Sequence, residues 1–474
     1  MCSKLGLGKT VLLIALIWLF LGLSPSCNTL AANSGGAAKP SKQGPKYILI
    51  VVGDGMGSVQ RQLAEEMMAT YGSSYQLAMN QLTVQGTMTT NSLSGTTDSL
   101  AAATAMYSGK KTRNGLFMLS PNGTIYPNVF NAAKKAGWST GYVTSVPMGQ
   151  NLDRISSGKL NLEHLLGIPY LATVVDLVFV TEGKTLPSTS LKVLELLKNV
   201  GYQVAKPGED YRNIAINCAK KQKKLIGLVY NGDQTFEIDR TQPFADMGYM
   251  TESAIKALSS NPRGFLLVVQ GTQIDKANHN NDLAAQTCEV ISLDRAVRSC
   301  LRFQQTNPQD TLLIVTGDHE TGGITITGKD ASKRGTVIKN VKASIPALTS
   351  GFESLKSEPD KMVSYLESMG IGQLNDREKS RLGIINNEVK TSQSLSSVLA
   401  GIICSRAGVK YTTRGHSNSK IPISACGPES ETFKGEIDNT DMGKMLLKII
   451  NKNAPKTVTP KSKKLEVKLE VSIK

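Results

Sequence analysis

The chain has 474 residues, 40% hydrophobic and 19% charged, with a formal net charge of +16. That is ample for a large core, as one big α/β domain or two smaller ones. The charge excess favours anionic substrates or an anionic surface, but no basic helix with interleaved aromatics is present, which excludes nucleic acid as the expected partner.

The chain opens with basic "MCSKLGLGK", the 14-residue apolar run "TVLLIALIWLFLGL" and small, polar "SPSCNTLAANSGG". That order predicts a secretory signal over 1–32. The apolar run is shorter than the roughly 20 residues of a spanning helix. Cleavage near Ala31 or Ala32 would export the protein to the periplasm or the exterior. The alternative is a lipid anchor through Cys27, which the preceding "LSPS" fits poorly because of Pro25. Removing the leader leaves five of the seven cysteines, an odd number, so at least one thiol is free. No C-x-x-C occurs, which argues against a thiolate zinc site.

Residues 33–46 read as a linker. "YILIVVGDGMG" is a buried strand breaking into a Gly-rich loop with Asp54 at its mouth. "TDSLAAATAMYSGKK" is a loop and an Ala-rich helix, and "GWSTGYVTSVP" a strand ending near Ser145. "LVFV" (177–180), "KKLIGLVY" (223–230) and "GFLLVVQG" read as strands, with "ESAIKALSS" a helix before the last. "EVISLDRAVRSCLRFQQ" is an amphipathic helix, and "TLLIVTGDHETGG" a strand with its loop. Apolar strands alternating with helices predict an α/β fold, a mostly parallel sheet covered on both faces. Over 328–411 the pattern loosens into a polar, helix-rich surface insertion, and "IPISACGP" (421–428) is a late strand. The main domain spans 47–450. Residues 451–474 carry seven Lys and two Glu and read as a basic disordered tail.

In an open α/β sheet the working site lies at the carboxyl ends of the strands. Asp54, the pair Asp275 and His279, the pair Asp318 and His319, and His416 all fall there or in the loop before the late strand. A single Asp after a strand is more often a turn former or helix cap. Three of the chain's four His at such places are less easily a coincidence; the fourth, His164, has no nearby partner and reads as structural. Three Asp and three His suit two zinc ions. In "TTDSLAAATA" either Asp98 or Ser99 caps the helix, or Ser99 is a nucleophile held where unpaired helix N–H groups meet a phosphate. A metal beside that hydroxyl would lower its pKa without an adjacent His.

The stretches "GDGMG" (53–57), "TDSLAAATAMYSGKKTRNG" (97–115), "GFLLVVQGTQIDKANHNND" (264–282), "VTGDHETGG" (315–323) and "TTRGHSNSKIPISACGP" (412–428) resemble, in order, those of the alkaline phosphatases. The resemblance implies a three-layer α/β sandwich and a metal-dependent phosphomonoesterase acting by double displacement. It implies one zinc on Asp54, Asp318 and His319, a second on Asp275, His279 and His416, and Ser99 as the phosphate-accepting nucleophile. Its substrates would be small phosphorylated molecules. It also implies a homodimer, with 328–411 contributing to the interface.

The chain departs from the family at the third metal, often magnesium. Gln270, Gln150 and Leu152 fall where that metal's ligands are expected. Two neutral amides and a Leu suit magnesium badly, so a two-zinc enzyme without magnesium is expected. Lys276 either supplies part of the lost positive charge or is a solvated surface lysine. The same loop is contracted, which makes Arg154 the candidate phosphate clamp, with Arg113 in reserve. A phosphodiesterase of the same superfamily and a non-catalytic phosphate-binding surface protein are the alternatives. A sulfatase is disfavoured, because "TDSLAAA" is not a formylglycine-type motif.

Overall fold

The computed structural model describes residues 44–146 and 174–454, apart from short stretches at 73–74, 184, 187, 231, 233–235, 241–245, 356–357, 386–387 and 390–394. The leader, Cys27, Gln150, Leu152, Arg154, His164 and the tail from 455 lie outside the described residues.

Twelve strands matter for the site. They are β1 (Tyr47–Gly53), β2 (Val84–Thr89), β3 (Ser139–Thr144), β4 (Leu177–Glu182), β5 (Tyr202–Ala205), β6 (Lys224–Tyr230), β7 (Phe265–Gly271), β8 (Thr311–Gly317), β9 (Glu320–Thr321), β10 (His416–Ser417), β11 (Ile421–Cys426) and β12 (Gly435–Asp438). Ten of them form one sheet in the order β12-β2-β11-β8-β1-β7-β3-β4-β6-β5. All neighbours are parallel except β11, which runs against both β8 and β2. The α/β reading is therefore correct, with one antiparallel intruder.

The helices are α1 (Ser58–Ala69), α2 (Ser99–Ser108), α3 (Val129–Lys135), α4 (Ser188–Asn199), α5 (Tyr211–Lys220), α6 (Met247–Leu258), α7 (Gln273–His279), α8 (Leu283–Thr306), α9 (Ala331–Asn340), α10 (Ile345–Ser354), α11 (Pro359–Ser368), α12 (Asp376–Arg381), α13 (Leu395–Ala407) and α14 (Asn439–Asn451). β1, β7 and β8 are apolar runs rather than alternating patterns because both faces of the sheet are covered. Leu49, Val51, Leu267, Val269 and Val315 pack with α6 and α8 on one side. Ile48, Ile50, Leu266, Val268 and Ile314 pack with α2, α3 and α14 on the other. Each such side chain, fully removed from water, stabilises by roughly 1.5–3 kcal/mol.

Two packings fix the platform under the site. α14 closes on α2 at Gly443, where a Cβ would stand 2.3 Å from Gly109 N and 2.7 Å from Ala105 O. Backbone atoms cannot rotate aside, so glycine is what brings these helices together at the C-terminal end of α2. On the opposite face, the 328–411 stretch carries an apolar seam of its own. Ile338, Leu348, Phe352, Leu366 and Leu399 pack together and against Leu63 of α1 and Leu283 of α8. The Arg334 guanidinium forks onto Glu66 of α1, with Nη2 donating to Oε1 at 2.8 Å. Among the described residues all five cysteines are free thiols, and no helix is long and apolar enough to cross a membrane.

Candidate active site

β7, β1 and β8 are adjacent and in step, with Gly53 opposite both Gly271 and Gly317. Asp54 and Asp318 therefore leave the sheet at the same level. The loop after β1 turns sharply at Gly55, whose φ is +70° and whose Cβ would lie 2.9 Å from Asp275 Cα and Thr321 Oγ1. A side chain there would be strained and would collide. The bare backbone instead lets Gly55 N–H donate to Asp318 Oδ1 at 3.0 Å. β7 runs into α7, where Asp275 and His279, one turn apart, share a face with Oδ2 and Nε2 3.1 Å apart. β10 pairs antiparallel with β9, His416 opposite Thr321, and this carries His416 across to the same cluster.

The choice of cap on α2 is resolved. Asp98 is the N-cap, its carboxylate accepting from Ala101 N at 2.9 Å and Gly115 N at 2.6 Å. Ser99, one residue on, is freed from capping. Its Oγ stands 3.0 Å from His319 Nε2 and 3.3 Å from Asp54 Oδ1.

The three imidazoles are arranged alike. His319 Nδ1 meets Thr321 Oγ1 at 3.3 Å, His416 Nδ1 meets Thr97 O at 2.7 Å, and His279 Nδ1 meets Arg414 O. With a carbonyl or hydroxyl oxygen at each Nδ1, that nitrogen carries the proton and Nε2 keeps its lone pair. All three Nε2 atoms turn inward. His279 Nε2 and His416 Nε2 face each other at 3.3 Å, with Asp275 Oδ1 3.6 Å from the latter. Converging acceptors need a cation between them.

The spacing fits a metal. Tetrahedral zinc with bonds of about 2.0–2.1 Å has ligand atoms ~3.4 Å apart. The separations here run from 3.1 to 3.6 Å in the Asp275, His279 and His416 group. In the other group His319 Nε2 lies 3.6 Å from Asp54 Oδ1 and 3.5 Å from Asp318 Oδ2. Asp318 Oδ2 is buried without a hydrogen-bond partner, as a ligand atom awaiting an ion is. Asp54, Asp275 and His319 also offer atoms within 4.8 Å of one another, so Asp275 stands between the two groups.

The electrostatics agree. Burial, then the charges of Asp318 and Asp275, raise Asp54 well above the usual carboxylate range. Burial pushes Asp318 up to about 7. Burial, then His416, lowers His319 to about 3 and keeps it neutral. Burial opposes ionisation of Asp275 as well. The surrounding His279 and His319 rings and the Thr321 hydroxyl that donates to Oδ1 outweigh it and hold Asp275 below the ordinary range.

The structure thus brings Asp54, Ser99, Asp275, His279, Asp318, His319 and His416 together. Gln270 is a neighbour: its Nε2 donates to Asp54 Oδ2 at 3.0 Å, and Tyr142 OH donates to its Oε1. Lys276, on α7, is half-buried with Nζ shielded from water rather than solvated. Arg113 sits exposed on the turn after α2. Tyr142, Thr321, Arg414 and Thr97 were not legible as site residues. Two of them act through backbone oxygens, which no side-chain pattern reveals, and Thr321 gives itself away only by lying two residues beyond His319.

A family model described as alkaline phosphatase matches residues 45–149 and 182–452. Alkaline phosphatase 3 of Bacillus subtilis is 27% identical over 439 residues, 86% of this chain and 89% of that protein. The alkaline phosphatase of Schizosaccharomyces pombe is 27% identical over 451 residues, 86% and 82% of the two chains. The crystal structure of a cold-active alkaline phosphatase from a psychrophilic Shewanella superposes with a TM-score of 0.69 at 25% identity, covering 85% of this chain and 99% of that one.

Proposed function

Because the chain belongs to the alkaline phosphatase family, we propose that it is an exported phosphomonoesterase using two zinc ions and a covalent phosphoserine. The carrying observation is that three histidines present Nε2, each with Nδ1 tied back, to three carboxylates around the Ser99 hydroxyl. Asp54, Asp318 and His319 would hold one ion, and Asp275, His279 and His416 the other. Bound zinc supplies positive charge that lowers the pKa of a hydroxyl or water and steadies the oxygens of the phosphoryl group.

The chain's own part follows from its geometry. Asp98 takes over capping, so Ser99 Oγ points at the cluster instead of at its own helix. Ser99 attacks phosphorus, its O–P bond forming as the ester P–O bond breaks, and the departing alcohol oxygen takes a proton from water. Water then attacks the phosphoserine, releasing phosphate and restoring the hydroxyl. The His319 Nε2 and Asp54 Oδ1 atoms that face the hydroxyl are the proposed ligands, so their part is to place an ion beside Ser99 Oγ, and the serine proton leaves to water. Arg154 is the proposed clamp for two phosphoryl oxygens. Arg154→Ala is expected to lower turnover and weaken phosphate inhibition, and unchanged values for both would dismiss it. Lys276, with its ammonium out of water on the helix that bears Asp275 and His279, is proposed to compensate charge there.

The third metal is proposed to be absent. Where magnesium asks for hard anionic oxygens, Gln270 turns an N–H donor toward Asp54, and Gln150 and Leu152 offer little more. The proposal also includes the 1–32 leader with export, anchoring through Cys27 as its alternative, and a homodimer through 328–411. The pure protein is expected to retain close to two zinc ions per chain by elemental analysis, with magnesium at trace level, and to turn over 4-nitrophenyl phosphate faster than its bis-ester. Clear magnesium occupancy beside two zincs would sink the third-site claim, and a preference for the bis-ester would make the protein a diesterase.

A further inference from the structure

Three adjacent parallel strands, β1, β7 and β3, each send one polar residue to the same flank of the cluster. Asp54 follows β1, Gln270 lies near the end of β7, and Tyr142 lies in β3. Tyr142 OH donates to Gln270 Oε1, and Gln270 Nε2 donates to Asp54 Oδ2 at 3.0 Å. The other Asp54 oxygen, Oδ1, faces Ser99 Oγ at 3.3 Å and His319 Nε2 at 3.6 Å. The carboxylate is therefore divided: one oxygen toward the serine and the imidazole, the other held by an amide.

We propose that Tyr142 and Gln270 form a neutral positioning relay that fixes the rotation of Asp54 so that Oδ1 is presented to the metal and to Ser99. It rests on the reading of Asp54 as a metal ligand.

The direction of the relay is set by chemistry. A carboxylate only accepts, so the Gln270 amide must offer its NH2 to Asp54. That leaves Oε1 on the far side, where it needs a donor, and Tyr142 supplies one. Burial, then the Asp54 and Asp318 charges, raise the Tyr142 phenol above its ordinary value, which favours the protonated, donating form. A flipped amide would set Oε1 against Asp54 and NH2 against a hydroxyl that is already placed to donate. The end of β7 is itself pinned. Ser145 N donates to Gln270 O at 3.4 Å, and the Thr144 and Thr272 hydroxyls meet at 2.9 Å. Nothing in the relay carries charge. It can therefore occupy the flank of Asp54 without the cation that a second carboxylate at position 270 would demand.

The test is the zinc affinity of the metal-stripped full-length protein, measured by competition with a chromophoric chelator. Gln270→Met keeps the length of the side chain but removes donor and acceptor, and is expected to weaken one zinc equivalent by about 10–100-fold. Tyr142→Phe removes a single oxygen and is expected to weaken the same equivalent by about three- to tenfold. Members of one chain of hydrogen bonds are not additive, so the double variant should bind zinc no more weakly than Gln270→Met alone. Folded single variants with wild-type zinc affinity, even if less heat-stable, would show a merely structural pair and overturn the relay, as would fully additive losses. If Gln270→Met does not fold, Tyr142→Phe carries the test by itself, and unchanged affinity there overturns the proposal. Wild-type protein that takes up no zinc would instead reject the metal reading of the site, a result distinct from zinc uptake that the variants leave unmoved.

Discussion

Ser99→Ala is expected to cut turnover of 4-nitrophenyl phosphate by at least about 10³-fold, the order seen when a catalytic nucleophile is deleted, while the protein keeps its fold and its zinc. The fold should survive because Ser99 does not cap α2. Asp98 does, through Ala101 N and Gly115 N, and alanine is a good residue at a first helical position. The zinc should survive because three Nε2 atoms and three carboxylates remain. What disappears is the oxygen 3.0 Å from His319 Nε2 and 3.3 Å from Asp54 Oδ1, the atom proposed to form the bond to phosphorus. A burst of alcohol in wild type and none in the variant, with equal zinc content and equal far-ultraviolet circular dichroism, is the expected pattern. Turnover within tenfold of wild type would reject the phosphoserine route. A catalytically dead wild type that nonetheless binds zinc and phosphate would favour the non-catalytic alternative.

The helix that begins at Ser99 illustrates how far the sequence alone can be read. Its alanines predict a helix, and the adjacent Asp and Ser predict a cap. Which of the two caps depends on where Gly115 N comes to rest, and that is tertiary. The central strands were legible because burial on both faces forces long apolar runs such as "YILIVVG" and "TLLIVTG". β2, β5 and β12 were not, because exposed or half-exposed positions break their apolar pattern. β11 was legible as a strand, but its direction depends on the path taken through 328–411, which no local pattern encodes. The polar reading of 328–411 missed a seam in which Ile345, Leu348 and Phe352 recur at helical spacing on α10, because the partners that cover it, Leu63 and Leu283, lie far away in sequence. The first-rank site residues were visible because Asp and His at strand ends stand out against apolar runs. Their supports were hidden. Thr97 and Arg414 orient imidazoles through main-chain carbonyls, and Tyr142 reads as an ordinary residue of a buried strand until its hydroxyl is seen to reach Gln270.

Stripping zinc is expected to abolish hydrolysis altogether, and added zinc, not magnesium, to restore it. The same experiment has a pH signature. Zinc needs the Asp318 carboxylate ionised, yet in the metal-free site burial pushes that group up to about 7 and Asp54 is raised as well. His319 is lowered to about 3, so it is already neutral at physiological pH and gives up no proton. Zinc uptake near pH 6 should therefore displace protons from carboxyl groups, visible as a binding enthalpy that changes with the ionisation enthalpy of the buffer, and affinity should rise with pH up to about 7. The sign for stability runs the other way in the stripped protein. A carboxyl whose folded pKa is raised binds more protons folded than unfolded, so its contribution is fully present at low pH and is lost as pH rises through about 7. Zinc neutralises the same charges and binds the folded chain alone, adding stability by mass action. The gap in melting temperature between zinc-loaded and stripped protein should consequently widen from pH 5 to pH 8. A gap that stays constant over that range, or zinc uptake at pH 6 without proton release, would mean that Asp318 and Asp54 do not hold the metal.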